Sequence, residues 1–448
     1  MATTYISRTI GTATLATKGT FSFWVKLTSN SEMYVVGGTQ NSTNKAGIGF
    51  SNTTAGTLTI VQEDAGTETT VLRTTRLFRD YSAFYHIVVA FDTPQVTASD
   101  RVKLYVNGVQ ETLFATATYP SQSSTIEYLE SGQEMVVGTK YGSSYGNYFN
   151  GLMSHVQFVD GLALAPTEFG EVDSTSGIWK IKTGSYGTPG NNGFHLKMED
   201  SSNMDLDSSS NGLTFTTTGT LTATKDNPSD NFNTLSPLNI QVASGTLSNG
   251  NTQMSFNADA TWRNTYSSLN NSTGKYYFEM QVGNTNDTLV GVVGTLDWTN
   301  DTGTSAVSST KATGYFMKQD GNLFNNNVSK SGGVSYTTGD VIGVALDLTN
   351  GAIWFSKDNV WVNSATISEI AAGTTTNAAY TGITTGVAYA YGACSEGKES
   401  SLQKFNFGNG YFASTAISSA GTNTSDIGLF EYDVPNGFTA WSTKGFQE

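Results

Sequence analysis

The chain has 448 residues, of which only 13% are charged and 12% aromatic, with 48 glycines and a net charge of −14. Long helices and global disorder are both excluded by that mixture, and the absence of a Lys/Arg-rich run excludes a nucleic-acid groove or an anionic membrane surface as a partner. A single cysteine, Cys394, precludes an intramolecular disulfide. From Met1 to Thr20 there is no basic stretch followed by an apolar one, so no secretory signal is expected, and no run reaches the length of a membrane span.

In chain order, the first strong pattern is TFSFWVKL. Phe21, Phe23, Val25 and Leu27 alternate with Ser22, Trp24 and Lys26, the period of a half-buried strand. Trp24 has the opposite parity to the phenylalanines, and whether it lies between layers or lines a surface is open. MYVVGG, AGIGFS and TLTIVQ follow between turn-rich segments. FYHIVVAFD then pairs naturally with RVKLYVNGVQE, whose Asn107-Gly108 is a type I′ hairpin signal. VVGTKYG and GLMSHVQFVDGLAL complete the series. His86 and His155 lie in apolar strands, which suits core or sheet-face histidines better than metal ligands.

This succession resembles a laminin-G-like or concanavalin-A-like jelly-roll sandwich over Ala2 to Ala223. The resemblance implies a carbohydrate- or protein-binding module, often with calcium. Two candidate sites fall inside it. Tyr141, Tyr145, Tyr148 and Phe149 in KYGSSYGNYFNG are aromatics spaced by Gly, Ser and Asn, the composition of adaptable recognition loops; aromatics filling a corner of the sandwich is the competing reading. Asp205, Asp207, Ser209 and Asn211 recur at every second residue and offer hard oxygen ligands for Ca²⁺. Ser210 stands where an EF-hand needs glycine, and a solvated turn is the alternative.

Lys225 to Leu238, KDNPSDNFNTLSPL, holds two of the seven prolines among Asp and Asn, and cannot continue a strand pattern. It reads as an ordered connector whose Phe232, Leu235 and Leu238 pack on a neighbour. The expected organisation is therefore a first sandwich over 1–224, a connector over 225–239, a second sandwich over 240–415 and a C-terminal segment, 416–448, folded over it. The fold class is all-β, with two antiparallel jelly-roll sandwiches in tandem.

Beyond the connector, GKYYFEMQV alternates Tyr276, Phe278 and Met280 against Tyr277, Glu279 and Gln281. Asp320-Gly321 and Asn350-Gly351 each mark a hairpin, the second between VIGVALDL and AIWFSK. GKYYFEMQV, GDVIGVALDLTNGAIWFSKDNVW and GVAYAYG together resemble a SPRY-type domain over Ile240 to Tyr411, with Asp358-Asn359 where that family has asparagine-glycine. This resemblance implies recognition of a partner through loops. With NPSDNFNTLSPL, the strings FNFGNGYF and VPNGFTAWST resemble SPRY-bearing virion proteins of tailed bacteriophages, of tail-fibre or head-associated type.

That combined resemblance implies a non-enzymatic virion protein made in the host cytoplasm. Its partners would be other virion proteins and a host cell-surface glycan or protein, and a homo-oligomer is expected, with a trimer as one form. Attachment to the particle would use the first sandwich, or an arm such as Met1 to Ala16. A capsid- or tail-decorating protein without receptor binding is the alternative, and a lectin-like glycoside hydrolase the third reading. Against catalysis, Glu130 and Glu134 are too far apart along a strand to act as a close pair, and Glu431-Tyr432-Asp433 runs into a turn at Pro435. Cys394 has no basic neighbour to activate it.

Overall fold

A computed structural model describes residues 3–39, 41–51, 54, 56–141, 144–182, 187–238, 245–256, 262–284, 288–297, 311–396 and 401–447. The chain divides into two compact units, Met1–Ala223 and Thr224–Glu448, and both are built almost wholly of antiparallel strands.

In the first unit an eight-stranded sheet runs 114–118, 67–77, 57–64, 45–51, 33–39, 134–137, 5–9, 216–218. A six-stranded sheet runs 194–196, 151–160, 18–27, 85–92, 102–106, 109–111. One core joins the two: Phe21, Phe23 and Val25 of Lys18–Leu27 meet Ile48, Phe50, Ile60 and Leu72 of the larger sheet. The strand Tyr5–Thr9 belongs to that larger sheet, paired on both sides and burying Ile6. An arm over Met1 to Ala16 is thereby corrected, because the alternation Tyr5, Ile6, Ser7 supplies one core position to a central strand.

Asn107 and Gly108 both take positive φ, 49° and 80°, as a type I′ turn requires. Two neighbouring glycines on this side are set by a close approach: a Cβ on Gly108 or Gly170 would come within 2.7 or 2.5 Å of the Trp179 indole. Trp179 belongs to the small hairpin of Gly170–Val172 with Trp179–Ile181, which lies on the outer face of the six-stranded sheet.

That cover changes the reading of the TFSFWVKL strand. Ser22 and Lys26, on the face opposite the phenylalanines, are buried together with Thr20, and Trp24, whose place the alternation left open, is buried with them. Thr20 Oγ1 donates to the Leu162 carbonyl and accepts from the Leu164 N–H, tying the chain over this face. Trp24 stacks on His86 with centroids 4.5 Å apart. The indole N–H of Trp179 donates to His86 Nδ1 at 2.8 Å; since an indole nitrogen can only donate, the imidazole proton sits on Nε2, which donates to Ser22 Oγ at 2.9 Å. Burial lowers the His86 pKa to about 3, so the ring stays neutral. It is a sheet-face clamp.

The second unit repeats the plan. Its larger sheet runs 245–248, 253–256, 401–406, 275–284, 341–347, 352–357, 360–361, and its smaller sheet 262–266, 389–396, 288–294, 314–318, 323–325, 328–330. Phe278, Met280, Ile342, Val344 and Phe355 form the core with Val290, Val292, Met317 and Tyr391. Residues 225–238 are integral to this unit: Leu235 is in that core, and the Asn233 N–H donates to the Trp441 carbonyl.

The C-terminal segment supplies a further layer. Ile427, Phe430, Val434, Phe438 and Ala440 pack on Tyr277, Ala345 and Trp354, the far face of the larger sheet. Thr439–Ala440 pairs in parallel with Tyr276 and Tyr277. Glu279, fully buried, accepts from the Glu431 and Tyr432 N–H groups, both at 2.9 Å, from Tyr277 Oη and from Asn406 Nδ2. The GKYYFEMQV strand, like TFSFWVKL, is buried on both faces for this reason.

The two hairpin turns differ in kind. Asp358 and Asn359 both have positive φ, 46° and 66°, so they perform the type I′ turn of an asparagine-glycine pair. Asn350-Gly351 instead closes a four-residue loop between Asp347 and Ala352, with Asp347 Oδ1 accepting the N–H groups of Thr349 and Asn350. Among the described residues, no helix is long and apolar enough to cross a membrane.

Candidate functional site

Three tyrosines from two distant parts of the first unit come together at one place. Tyr5 lies on the strand Tyr5–Thr9, where core-facing Ile6 turns it to the opposite face. Tyr145 pairs with Tyr141 across a two-residue strand pair, 140–141 with 145–146. The Tyr5 and Tyr145 rings are 4.8 Å apart, and Tyr5 and Tyr148 6.3 Å.

The segment that carries them is held at several points. Thr139 Oγ1 donates to the Gly146 carbonyl at 2.7 Å, Tyr34 N–H to the Asn147 carbonyl at 2.9 Å and Phe149 N–H to the Gly138 carbonyl at 2.8 Å. Tyr145 Oη donates to Glu134, and Tyr148 Oη reaches the Tyr145 carbonyl at 3.5 Å. All three tyrosines are half-buried.

Of the four aromatics singled out in KYGSSYGNYFNG, Tyr145 and Tyr148 share this platform. Phe149 packs against the hydrophobic core instead. The side chain of Tyr141 lies outside the described residues. Tyr5 and Glu134 join from elsewhere in the chain. The parity of Tyr5 against Ile6 was the available signal for the first, whereas nothing local marks Glu134.

Of the 205–211 set, both oxygens of Asp207, one of Asp205 and the Ser209 hydroxyl meet protein donors. Asp207 Oδ1 accepts from the N–H groups of His195 and Ser209, and Oδ2 from Ser209 Oγ and the Leu213 N–H, all at 2.8–2.9 Å. Asp205 accepts from Thr217 Oγ1 at 2.7 Å, and Asn211 Nδ2 donates to the Gly190 and Gly193 carbonyls. These residues pin one loop against the strand Phe194–Leu196. No group of three or more His, Cys, Asp or Glu placed to hold a metal ion occurs among the described residues.

His155 sits at a bulge with φ 51°, its Nδ1 2.8 Å from Ser154 Oγ and its ring 5.3 Å from that of His195. Burial depresses both imidazoles, His195 to about 3.

The acids diverge in the same way. Glu134 meets Tyr145, whereas Glu130 accepts from Gln133 Nε2 at 3.0 Å. The same nitrogen reaches Glu127 at 3.3 Å, and burial pushes that carboxyl up to about 7. This pair was not foreseen, and Glu127 is 5% exposed. Glu431 and Asp433 accept from Ser418 and Thr422 and hold the loop between. The Cys394 side chain lies outside the described residues.

Comparison with known proteins follows the two units. A family model described as the concanavalin A-like lectin/glucanases superfamily matches residues 2–168, and the SPRY domain model matches residues 275–376. The chain carries a concanavalin A-like domain and a SPRY domain in tandem.

No curated protein matches it. Among solved structures, it is similar to the SPRY domain of human HERC1, with 16% identity over 38% of this chain and 96% of that one and a TM-score of 0.30. The TRIM65 PSpry domain gives 12% identity over 39% and 91%, TM-score 0.29, and stonustoxin 19% over 39% and 27%, TM-score 0.27. Likenesses at this level carry no functional weight.

The tyrosine platform thus belongs to the concanavalin A-like domain. In the second unit the match runs from Lys275 to Thr376, and the connector and the C-terminal layer lie outside it.

Proposed function

We propose that this chain is a non-enzymatic adhesion protein of a tailed-bacteriophage virion, recognising a cell-surface glycan through its concanavalin A-like domain. The observation that carries the recognition is the platform of Tyr5, Tyr145 and Tyr148. Half-exposed aromatic rings, fixed by hydrogen bonds at little cost in rotamer entropy, offer apolar faces to the C–H side of a sugar ring, with tyrosine hydroxyls and Glu134 at the edge for its hydroxyls. The acids support a binding role over hydrolysis: Glu130 and Glu127 both accept from Gln133, and Glu127 is buried. The virion assignment rests on the strings FNFGNGYF and VPNGFTAWST beside the two domains.

Binding of the purified chain to an array of bacterial surface glycans and to intact cells tests this reading. Tyr148→Ala is expected to weaken binding at least about tenfold, the scale of one lost aromatic contact, with the melting temperature unchanged. Equal binding by the variant would remove the platform from the site. Absence from purified particles, by mass spectrometry, would remove the virion assignment. Tight binding to particles with none to cells would leave a decoration protein.

A further inference from the structure

A second place in the molecule has the chemistry of a ligand site, and it lies in the other unit. A depression of about 440 Å³ opens between the start of the strand Lys275–Asn284, the loop at Thr349 and the C-terminal layer. Its floor is aromatic and closed: Phe438 is fully buried, with Lys275 Nζ 5.6 Å from its ring centroid. Its rim is made of hydroxyl and amide groups, from Thr349, Thr424, Ser425, Asn436 and Thr439. Most of that rim comes from beyond residue 376, where the SPRY match ends.

The charge and the hydrogen-bond sense of these groups select the ligand. Lys275 Nζ is 3.2 Å from the fully buried carboxylate of Asp347, so the only cation in the lining is already neutralised, and neither an anion nor a cation is favoured. The hydroxyls of Thr424 and Ser425 donate to Asn436 Oδ1 and Asn423 Oδ1, both at 2.8 Å, and Ser425 Oγ also accepts from the Ile427 N–H at 3.3 Å, which leaves the lone pairs of Thr424 and one of Ser425 as acceptors. Asn436 has its oxygen engaged and its Nδ2 protons available, and Lys275 has further ammonium protons. The buried Thr439 Oγ1 has no hydrogen-bond partner among the described residues.

Acceptors and donors thus stand side by side around an uncharged hollow large enough for a small ligand. Sugar hydroxyls, each both donor and acceptor, match that alternation, and neither a phosphate nor an ammonium does. We propose that the depression between Lys275, Thr424 and Asn436 is a binding site for a neutral saccharide unit, separate from the tyrosine platform. It does not rest on the reading given for that platform, and either stands if the other fails.

The test is saturation-transfer NMR on the full chain carrying Tyr148→Ala, so that the platform contributes least. The probes are the methyl glycosides of glucose, galactose, mannose and N-acetylglucosamine, with glucuronate and glucosamine as charged counterparts. Transfer to at least one neutral glycoside at millimolar concentration is expected, and a fall of at least about tenfold in affinity when Thr424→Trp fills the hollow. Asn436→Ala, which removes the amide donors without adding bulk, is expected to weaken the same probe, and unchanged melting of both variants shows that the fold is kept. Three results would overturn the proposal: no transfer to any neutral glycoside, transfer that survives Thr424→Trp, or a charged probe binding more tightly than its neutral parent.

Discussion

At the scale of single residues, two buried carboxyls set an expected pH response. Glu127 is raised to about 7 by burial, then by Glu130 and Asp64; Glu279 is raised to about 7 by burial, against four hydrogen bonds that favour its charged form. In the unfolded chain both return to about 4.5. The folded protein therefore holds these protons more tightly, and their contribution is fully present below pH 4.5 and lost as pH rises through 7. Thermal melts between pH 5 and pH 7.5 are expected to fall with pH from this source. Glu127→Gln should flatten the slope, removing on the order of 2 kcal/mol of the pH-dependent difference. An unchanged slope in the variant would take Glu127 out of the account. None of this was legible in the sequence: Glu127 in TIEYLE has the look of a surface acid until Gln62 and Gln133 close around it.

At the scale of elements, a short hairpin decides whether one sheet has a wet face. Gly170–Val172 and Trp179–Ile181 have few residues of their own to bury, yet Trp179 reaches Gly108 and donates to His86. Trp179→Ala is expected to cost about 2–3 kcal/mol, less than a fully buried tryptophan because the ring is half-exposed. Hydrogen exchange should show faster opening confined to the hairpin and to the strand Tyr85–Asp92 beneath it. Global destabilisation with no local change would mean that the hairpin is not a separate layer. Alternation alone placed the inward residues of TFSFWVKL and GKYYFEMQV correctly. It did not reveal that their outward residues are buried as well, because a strand pattern records which residues face one way and not what is later laid over the other face.

At the scale of the whole molecule, each unit has its own core, and the residues that complete the second one precede its first strand. A chain beginning at Thr224 keeps Phe232 and Leu235, both buried, while one beginning at Ile240 loses them together with the bond from Asn233 to Trp441. The expected outcome is cooperative urea unfolding for 224–448 and a much weaker or absent transition for 240–448. Equal stability of the two would make 225–238 a passive linker.

The sequence by itself determined the class of fold, since low charge, glycine-rich turns and period-two runs admit strands and little else, and the motif strings placed a concanavalin A-like domain before a SPRY domain. It also marked Tyr145 and Tyr148. Only the tertiary structure brought Tyr5 to them across more than a hundred residues and set Glu134 against Tyr145, turned the oxygens of Asp207 inward, and wrapped the last residues over the Tyr277 face. Local periodicity is a property of neighbours along the chain, whereas a site is made where distant strands are forced into register by the burial of a shared core.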